Sequence, residues 1–399
     1  MRAASKLLLA LTLAIALAVV PLSGCTSDDG GTTDGDGAGE EKEPYRIGAV
    51  LSLSGTYAGL GEPEKNTLEM EVAAINDAGG VNGHPIEVII VDDATDADTA
   101  VSETTRLIDQ EGVLAIIGAT GTGATMAMRQ EIGRAGIPQV SPAGGTVITA
   151  EFDPLVFQTP WSNALVIPFQ FDYMLEQGIT KIGVIADSGG FGVDGAAVVA
   201  DLAPEAGIEI VANESFNPGD TDMTAQLTKI EGEGAEAVLM VTAGREASIV
   251  ATNMKDLGMT IPLYGTHGNA RTEFAEGAGD AAEGFRFAAG KILLPETYGE
   301  GTEAFDVATD FIDRYSAEYG KAPDTFAGHA YDALHIIVNA MKTLDEGFTS
   351  AELRDAIEAT EGFVGIGGTF TYSADDHNGM TEDDLVMYEI KDGEWVLAE

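Results

Sequence analysis

The chain has a single cysteine, Cys25, among its 399 residues. One cysteine cannot close an internal disulfide, so no covalent bridge stabilises the fold. Basic residues are also scarce: 20 Lys and Arg stand against 66 Asp and Glu, a formal net charge of −46. Proteins bind nucleic acid through clustered Lys and Arg, so this composition argues against a nucleic acid partner. The acidic excess favours solubility and suits a salty environment, where ions screen the repulsion.

Histidines are few and are not spaced as metal ligands. The five are His84, His267, His329, His335 and His377. The closest pair lies six residues apart, off the i, i+4 spacing of a helical metal pair. Glycine loops for nucleotides are also incomplete. The stretch from Gly118 reads G-x-x-x-x-G but continues with Ala124 instead of lysine, and Met126 replaces the third glycine of a dinucleotide loop. We therefore predict no metal and no cofactor.

The longest apolar run, residues 7–20, is too short for an ordinary membrane-spanning helix. It follows Arg2 and Lys6, and this pattern predicts a signal peptide over residues 1–24. The stretch Leu22-Ser23-Gly24-Cys25 resembles the lipobox of bacterial and archaeal lipoproteins. That resemblance implies a lipidated Cys25 and a chain anchored on the extracytoplasmic side of the cell membrane. An ordinary secretory signal with an incidental cysteine is the alternative. Residues 25–44 are acidic and glycine-rich, which predicts a disordered linker.

From Tyr45 onward, short β-rich runs alternate with segments of helical periodicity. The runs are YRIGAVLS, IEVIIVDDA, VLAIIGA, IPQVSPA, KIGVIAD, IEIVANESF, AVLMVTA and IPLYGTH. Continuous apolar runs are typical of parallel strands buried on both faces. Two groups of four strands, separated near Trp161, predict an α/β fold with two Rossmann-like doubly wound lobes. We place lobe 1 at 45–160 plus about 289–368, and lobe 2 at about 161–288 plus about 369–399.

Two loops that follow predicted strands are rich in glycine and hydroxyl groups and contain no cation. They read ATGTGAT, residues 119–125, and SPAGGT, residues 141–146. Ligands bind beyond the carboxyl ends of strands in such sheets. Glycine lets backbone N–H groups approach a ligand, and a following helix N-terminus favours negative charge. The loops predict a site for a carboxylate or small polar anion; two glycine-rich turns without a ligand are the alternative.

Several segments, taken in order, resemble one known family. They are GAVLSLS, GTYAGLG, INDAGGVNGHPIEVIIVDDATD, GVLAIIGATGTGAT, GIPQVSPAGGT and AGDAAEGF. Together they resemble the leucine/isoleucine/valine-type (branched-chain amino acid) substrate-binding proteins of ABC transporters, which are type I periplasmic binding proteins. The similarity runs from about Tyr45 to about Tyr388. It implies two lobes joined by three crossover strands, which close on a small amino acid or related ligand and deliver it to an ABC permease. It also implies a monomer that is not an enzyme.

The resemblance implies a set of ligand-binding residues. They are Tyr57, Gly121, Thr122, Gly123, Ala143, Gly144, Thr146, Phe191, Ala243 and His267. In this family the loop after the third strand binds the ligand α-carboxylate, and this role falls on Thr122 with its two neighbouring glycines. The loop after the fourth strand adds donors around Ala143, Gly144 and Thr146. Phe191, in the second lobe, is expected to cover the ligand.

Two positions depart from the family pattern. Ala243 replaces a second aromatic residue, and Arg245 nearby is positioned to reach the cleft. His267 stands where branched-chain receptors carry a glutamate that pairs with the ligand ammonium. Imidazole is a weaker counterion than a carboxylate. Either Asp187 or Glu246 replaces that glutamate for an amino acid ligand, or the ligand is an amide, urea-like compound or carboxylate without an amine. Contact with His267 predicts binding that changes between about pH 5 and 8.

Two other functions fit parts of the pattern. The stretch ADSGG imitates a nucleophile elbow with Ser188 as nucleophile, which would make the protein a hydrolase. Its first glycine is replaced by alanine, and a triad needs a base within hydrogen-bond reach. The other alternative is a sensory protein whose two lobes bind a ligand and signal to a partner. The sequence favours transport, because no second long apolar run and no output domain follow the lobes.

Overall fold

The protein is described by a computed structural model that covers residues 42–399. The predicted signal peptide, Cys25 and nearly all of the predicted linker lie outside the described residues. Within residues 42–399 no helix is both long enough and apolar enough to cross a membrane.

The first sheet contains five parallel strands among the described residues, in the spatial order β2-β1-β3-β4-β5. Their bounds are β1 Tyr45–Leu51, β2 Ile86–Asp92, β3 Ala115–Gly118, β4 Gln139–Ser141 and β5 Val156–Gln158. The central strands are buried along their whole length, because helices cover both faces of the sheet.

The second sheet contains seven strands of the described chain, in the order β14-β13-β10-β9-β8-β6-β7. Their bounds are β6 Lys181–Asp187, β7 Glu209–Phe216, β8 Ala237–Val241, β9 Leu263–Tyr264, β10 Arg286–Ala289, β13 Val386–Lys391 and β14 Glu394–Leu397. The first five are parallel, whereas β13 and β14 add an antiparallel edge. A small antiparallel pair, β11 Phe363–Val364 and β12 Thr369–Phe370, lies apart from both sheets.

Helices connect the strands and cover the sheets. Their bounds are α1 Ala58–Asp77, α2 Ala97–Arg106, α3 Thr122–Ala135, α4 Val147–Ala150, α5 Asn163–Glu176, α6 Gly190–Ala206, α7 Thr224–Gly232, α8 Glu246–Leu257, α9 Thr272–Ala278, α10 Glu303–Tyr319, α11 Thr325–Lys342 and α12 Ser350–Glu358. Several begin at a side-chain cap, such as Asp324 at α11. Others end at a left-handed glycine, such as Gly136 after α3 and Gly258 after α8.

The chain passes between the two sheets three times within the described residues. It leaves the first sheet after β5, builds the second sheet through β10, and returns with α10 to α12. Helix α11 packs against α1, β3 and β4, so it covers the first sheet. The chain then crosses again to add β13 and β14 to the second sheet. Below, the first lobe means the first sheet with its helices, and the second lobe means the second sheet with its own.

Candidate functional site

A small cavity lies between the lobes, at the carboxyl ends of their strands. Its volume is about 20 Å³, little more than the roughly 10–15 Å³ that one water requires. Eight predicted site residues line it: Tyr57, Gly121, Thr122, Ala143, Gly144, Phe191, Ala243 and His267. Both lobes contribute to the wall, so a ligand held here would be enclosed, and its entry requires the lobes to separate.

Thr122 supplies the buried hydroxyl of the first-lobe wall. It is the first residue of α3, directly after the turn that follows β3. The first bond within this helix runs from the Thr125 N–H to the Gly121 carbonyl, at 2.9 Å. The amides that precede it therefore have no carbonyl of their own helix to bind. Among the described residues the Thr122 hydroxyl is buried and has no hydrogen-bond partner. Such a group costs stability unless a ligand binds it.

The loop after β4 packs tightly between Thr122 and the opposite lobe. A β-carbon on Gly145 would lie 2.8 Å from Oγ1 of Thr122 and would overlap its methyl group. A β-carbon on Gly144 would overlap Nε2 of His267. Only glycine permits both approaches, and this explains the glycine pair in the predicted loop. The backbone here stands directly between the two polar side chains of the site.

His267 lies in a short 3₁₀ turn after β9 and closes the second-lobe wall. Its ring stands edge-on to Phe191, with ring centroids 5.2 Å apart, and edge-on to Trp161 at 6.5 Å. Burial lowers its pKa from 6.5 to about 3, so the imidazole is neutral at physiological pH. The Gly144 backbone lies against the ring and opposes this fall in pKa, but the contact does not have hydrogen-bond geometry, and neither ring nitrogen has another partner within residues 42–399. A neutral ring therefore offers one donor and one acceptor to a ligand.

Helix α11 contributes two wall residues that the sequence patterns did not reveal, Phe326 and His329. The His329 ring stands edge-on to Trp161 at 5.1 Å, and its Nδ1 is buried without a partner in the described chain. Burial also lowers its pKa to about 3. In the sequence, His329 was examined only as a possible metal ligand together with His335. Its position beside the cavity depends on the return of α11 to the first lobe, which no local motif signals.

The two acids proposed as ammonium partners, Asp187 and Glu246, are buried but lie outside the cavity wall. The Asp187 carboxylate accepts the Gly189 N–H at 2.7 Å, and Glu246 accepts the Gly219 N–H at 2.6 Å. Burial raises the pKa of the Tyr57 hydroxyl, and the negative charges of the two acids raise it further. Both acids thus lie near Tyr57 and each accepts a backbone amide, but the second oxygen of Asp187 is buried without a partner in the described chain.

Arg271 is a buried cation whose charge acts on Tyr57, and the sequence patterns did not predict its position. Its side chain is buried, and burial lowers its pKa, although the carboxylates of Glu273, Asp324 and Glu246 oppose that change. Arg245, which the sequence placed at the cleft, is exposed at the start of α8 and lies outside the wall. The positive charge of Arg271 lowers the pKa of Tyr57, but Arg271 too lies outside the cavity wall.

Two predicted residues lie outside the cavity. Gly123 lines a neighbouring groove between the lobes, opposite Gly190. Thr146 forms hydrogen bonds with other protein groups and does not line the cavity. Its N–H donates to Asp194 of α6 at 2.8 Å, and its hydroxyl accepts the Ala164 N–H at 2.8 Å. A carboxylate of the second lobe thus occupies the donors that the sequence assigned to a ligand.

Ser188 lacks the surroundings of a catalytic serine. Its hydroxyl donates to the side chain of Asn217 at 3.1 Å and is exposed at the surface. His267, the base that the hydrolase hypothesis requires, is buried in the cavity wall. No recorded hydrogen bond joins Ser188 to a histidine in the part of the chain that the structure describes. The geometry therefore gives the hydrolase alternative no support.

Comparisons with known proteins identify the family. The family model described as periplasmic binding protein matches residues 44–394. The chain is 28% identical over 329 residues to the Leu/Ile/Val-binding protein homolog 3 of Brucella melitensis, covering 82% of this chain and 86% of that protein. It is 25% identical over 306 residues to the leucine-, isoleucine-, valine-, threonine- and alanine-binding protein of Pseudomonas aeruginosa, covering 76% and 79%.

Solved structures agree with these relatives. The branched-chain amino acid transporter substrate-binding protein LivJ of Streptococcus pneumoniae, solved with isoleucine, is 28% identical with a TM-score of 0.79, over 90% of this chain and 99% of that chain. An extracellular ligand-binding receptor of Rhodopseudomonas palustris is 26% identical with a TM-score of 0.84, over 90% and 100%. The fold class and the family resemblance predicted from the sequence are confirmed, and the chain belongs to the periplasmic binding protein family.

Proposed function

We propose that the chain is the extracytoplasmic solute receptor of an ABC importer. It binds a small amino acid or a related carboxylate or amide between its lobes and delivers it to a membrane permease. A lipid on Cys25 holds it at the outer face of the membrane. The observation that carries the proposal is the buried Thr122 hydroxyl, which has no partner among residues 42–399 and stands at the start of α3. A ligand oxygen would satisfy it together with the free amides of that helix.

Binding proceeds by closure of the lobes. In the open form the first lobe presents Thr122 and the glycine-rich backbone beside it, and the carboxyl or amide group of the ligand docks there first. The second lobe then brings Phe191 and His267 over the other end and excludes water. The ligand favours the closed form only by as much as it binds that form better than the open one. The permease recognises the closed, loaded receptor.

The substitution Thr122→Val tests the role of the hydroxyl. A hydrogen bond to a charged group contributes about 1.5–3 kcal/mol, so affinity for a carboxylate should fall about 10- to 150-fold in calorimetry. Valine keeps the shape and removes a hydroxyl that has no protein partner within the described residues. The free energy of unfolding without ligand should therefore not decrease. Unchanged affinity would show that the ligand binds elsewhere.

Thr125, one turn further along α3, provides the matched control. Its buried hydroxyl accepts the Ala119 N–H at 3.0 Å and pairs with the Ser141 hydroxyl at 2.9 Å. Thr125→Val should lower the free energy of unfolding by about 1–3 kcal/mol, because these groups lose a partner. Thr125 does not line the cavity, so affinity should change little. Thr122→Val should thus lower ligand affinity without lowering stability, whereas Thr125→Val should lower stability without lowering affinity.

The ligand is identified by a thermal-shift screen of the mature protein against amino acids, amides, urea and aromatic acids. A true ligand stabilises the folded state by mass action, so the melting temperature rises with its concentration. The lipid anchor is tested separately. The intact chain should fractionate with membranes, and a Cys25→Ala variant should not. Uptake of the identified solute that requires this receptor distinguishes an importer from a sensory protein.

A further inference from the structure

We infer that the ligand of this receptor carries no ammonium group: it is a small monocarboxylate, or the corresponding primary amide, with a short apolar body. This inference rests on the proposed function and names the substrate class for the same site. It depends on the polar atoms that the closed cavity presents, and on where the surrounding acids lie.

The cavity wall is uncharged. Among the described residues its lining includes no Asp, Glu, Lys or Arg. The fully buried side-chain polar atoms of the wall that have no partner in the described chain are the Thr122 hydroxyl, the two ring nitrogens of His267 and Nδ1 of His329. Both histidines are neutral because burial holds each pKa at about 3. No group of the wall can therefore neutralise a ligand cation.

The buried carboxylates around Tyr57 lie outside the cavity wall. Asp187 and Glu246 each accept a backbone N–H group of their own lobe, whereas the second carboxylate oxygen of Asp187 is buried without a partner among the described residues. Glu64 is also buried, and burial raises its pKa well above its usual value. Its carboxyl group accepts the hydroxyl of Thr120. Burial thus disfavours the charged form of Glu64, and the residue lies outside the cavity wall, so it is a poor replacement for the missing counterion.

An enclosed ammonium ion needs acceptors and a negative charge. It carries three N–H donors, whereas neutral His267 supplies one acceptor and one donor. A buried cation without a paired anion is strongly disfavoured. A carboxyl or amide oxygen instead matches the groups that are present: the Thr122 hydroxyl, the His267 N–H and the first amides of α3. An amide NH₂ can also donate to the remaining ring nitrogen. The polar atoms of the wall therefore fit the carbonyl end of a ligand better than an ammonium group.

The rest of the wall is apolar and close. Leu60, Phe191 and Phe326 fill the space around the polar atoms, with prolines and alanines between them. The closed cavity of about 20 Å³ is smaller than any such ligand, so binding requires the walls to move apart, and a short aliphatic body requires the least movement. This favours ligands of the size of propionate to isovalerate over long or aromatic acids. Amino acids of the same length add a charge that the wall cannot accommodate.

Calorimetry with matched pairs tests the inference. Each amino acid is compared with the acid that lacks only its amino group: alanine with propionate, valine with isovalerate, and leucine with 4-methylpentanoate. Propionamide and isovaleramide distinguish an amide ligand from a carboxylate. We expect the amino-free member of at least one pair to bind about tenfold tighter or more than its amino acid. The preferred member should lose affinity in Thr122→Val.

The substitution His267→Glu provides a gain-of-function arm. A carboxylate in the wall should shift the preference within a pair toward the amino acid by about tenfold or more, whereas His267→Gln should not. If His267→Glu does not fold, the matched pairs on the unaltered protein still decide. Tighter binding of the amino acid in every pair would overturn the inference and leave the receptor function intact. Binding by no member of any pair would also overturn it. The receptor function itself fails only if the wider screen finds no Thr122-dependent ligand.

Discussion

The contact between Gly190 and Gly123 makes lobe closure testable by one substitution. Gly190 begins α6 in the second lobe, and Gly123 lies in the first turn of α3 in the first lobe. A β-carbon on Gly190 would lie 2.5 Å from the Gly123 nitrogen and 2.7 Å from its Cα. Both are backbone atoms, so no rotamer change relieves the clash. Gly190→Ala should therefore prevent the lobes from reaching their full contact.

The magnitude follows from the cost of overpacking, which is about 1–3 kcal/mol. This cost applies only to the closed form, because the two backbones separate when the lobes open. The ratio of closed to open protein should fall by about 5- to 150-fold, and the ligand affinity by the same factor. The melting temperature without ligand should change much less than the affinity, since the clash is absent from the open form.

Calorimetry with the tightest ligand of the screen measures the affinity, and small-angle X-ray scattering measures the compaction on ligand addition. Gly133→Ala is the control, because Gly133 is exposed within α3 and its added β-carbon meets nothing within 4 Å. That change should raise the free energy of unfolding by about 0.5–1 kcal/mol and leave binding unchanged. If Gly190→Ala binds and compacts like the unaltered protein, the bound form is not the closed arrangement seen here.

Three further predictions concern closure and charge. The closed form holds His267 and His329 neutral with pKa values of about 3, below the usual 6.5, so closing releases any proton that they carry when open. Ligand affinity should therefore be constant from about pH 7 to 9 and fall below about pH 6.5 by up to tenfold per pH unit for each histidine. Calorimetry that shows a rise in affinity toward pH 5.5 would contradict this. Thr325 of α11 donates to the Ala270 carbonyl of the second lobe at 3.1 Å, so Thr325→Val should weaken binding about 2- to 10-fold in the same assay. Because the chain carries a net charge of −46, added salt should strengthen the binding of a carboxylate ligand and leave an amide ligand unaffected, and equal responses of both ligands would refute the electrostatic argument.

The sequence predicted the central strands because their signal is local. The eight runs contain β1 to β4 and β6 to β9, and strands β3, β4 and β8 are wholly buried because helices cover both faces of their sheets. Strand β5 was hidden in the segment taken as the junction between lobes, and it has only three residues, Val156–Gln158. Strands β13 and β14 are at an antiparallel edge, where half-exposed side chains give no continuous apolar run.

Contacts between the lobes limited the prediction of the site. The loop with Thr122 was identified because glycine, threonine and a helix start follow a buried strand in one short segment. Thr146 has the same local signal, but its amide is bound by Asp194, which lies 48 residues later and in the other lobe. His329 reaches the cavity only because α11 returns to the first sheet. The sequence can therefore predict that a glycine-rich loop offers hydrogen-bond donors. Whether a ligand or another part of the protein accepts them depends on tertiary structure.

The charge of the whole chain and the charge of the cavity are separate properties. A protein with a net charge of −46 is a poor long-range attractor of anions, yet the groups in its cleft are suited to a carboxyl oxygen. Surface charges beyond about 8–10 Å are screened at physiological ionic strength. Inside a cleft that excludes water, screening is weak, and we expect the local polar groups to determine ligand affinity. These groups are the hydroxyl of Thr122, the amides at the start of α3 and the neutral ring of His267. The buried acids around Tyr57 lie outside the wall: Asp187 and Glu246 each accept a backbone amide, and burial raises the pKa of Glu64. The protein thus combines an acidic chain with a locally uncharged cavity wall, and we expect the wall and not the net charge to determine which ligand binds.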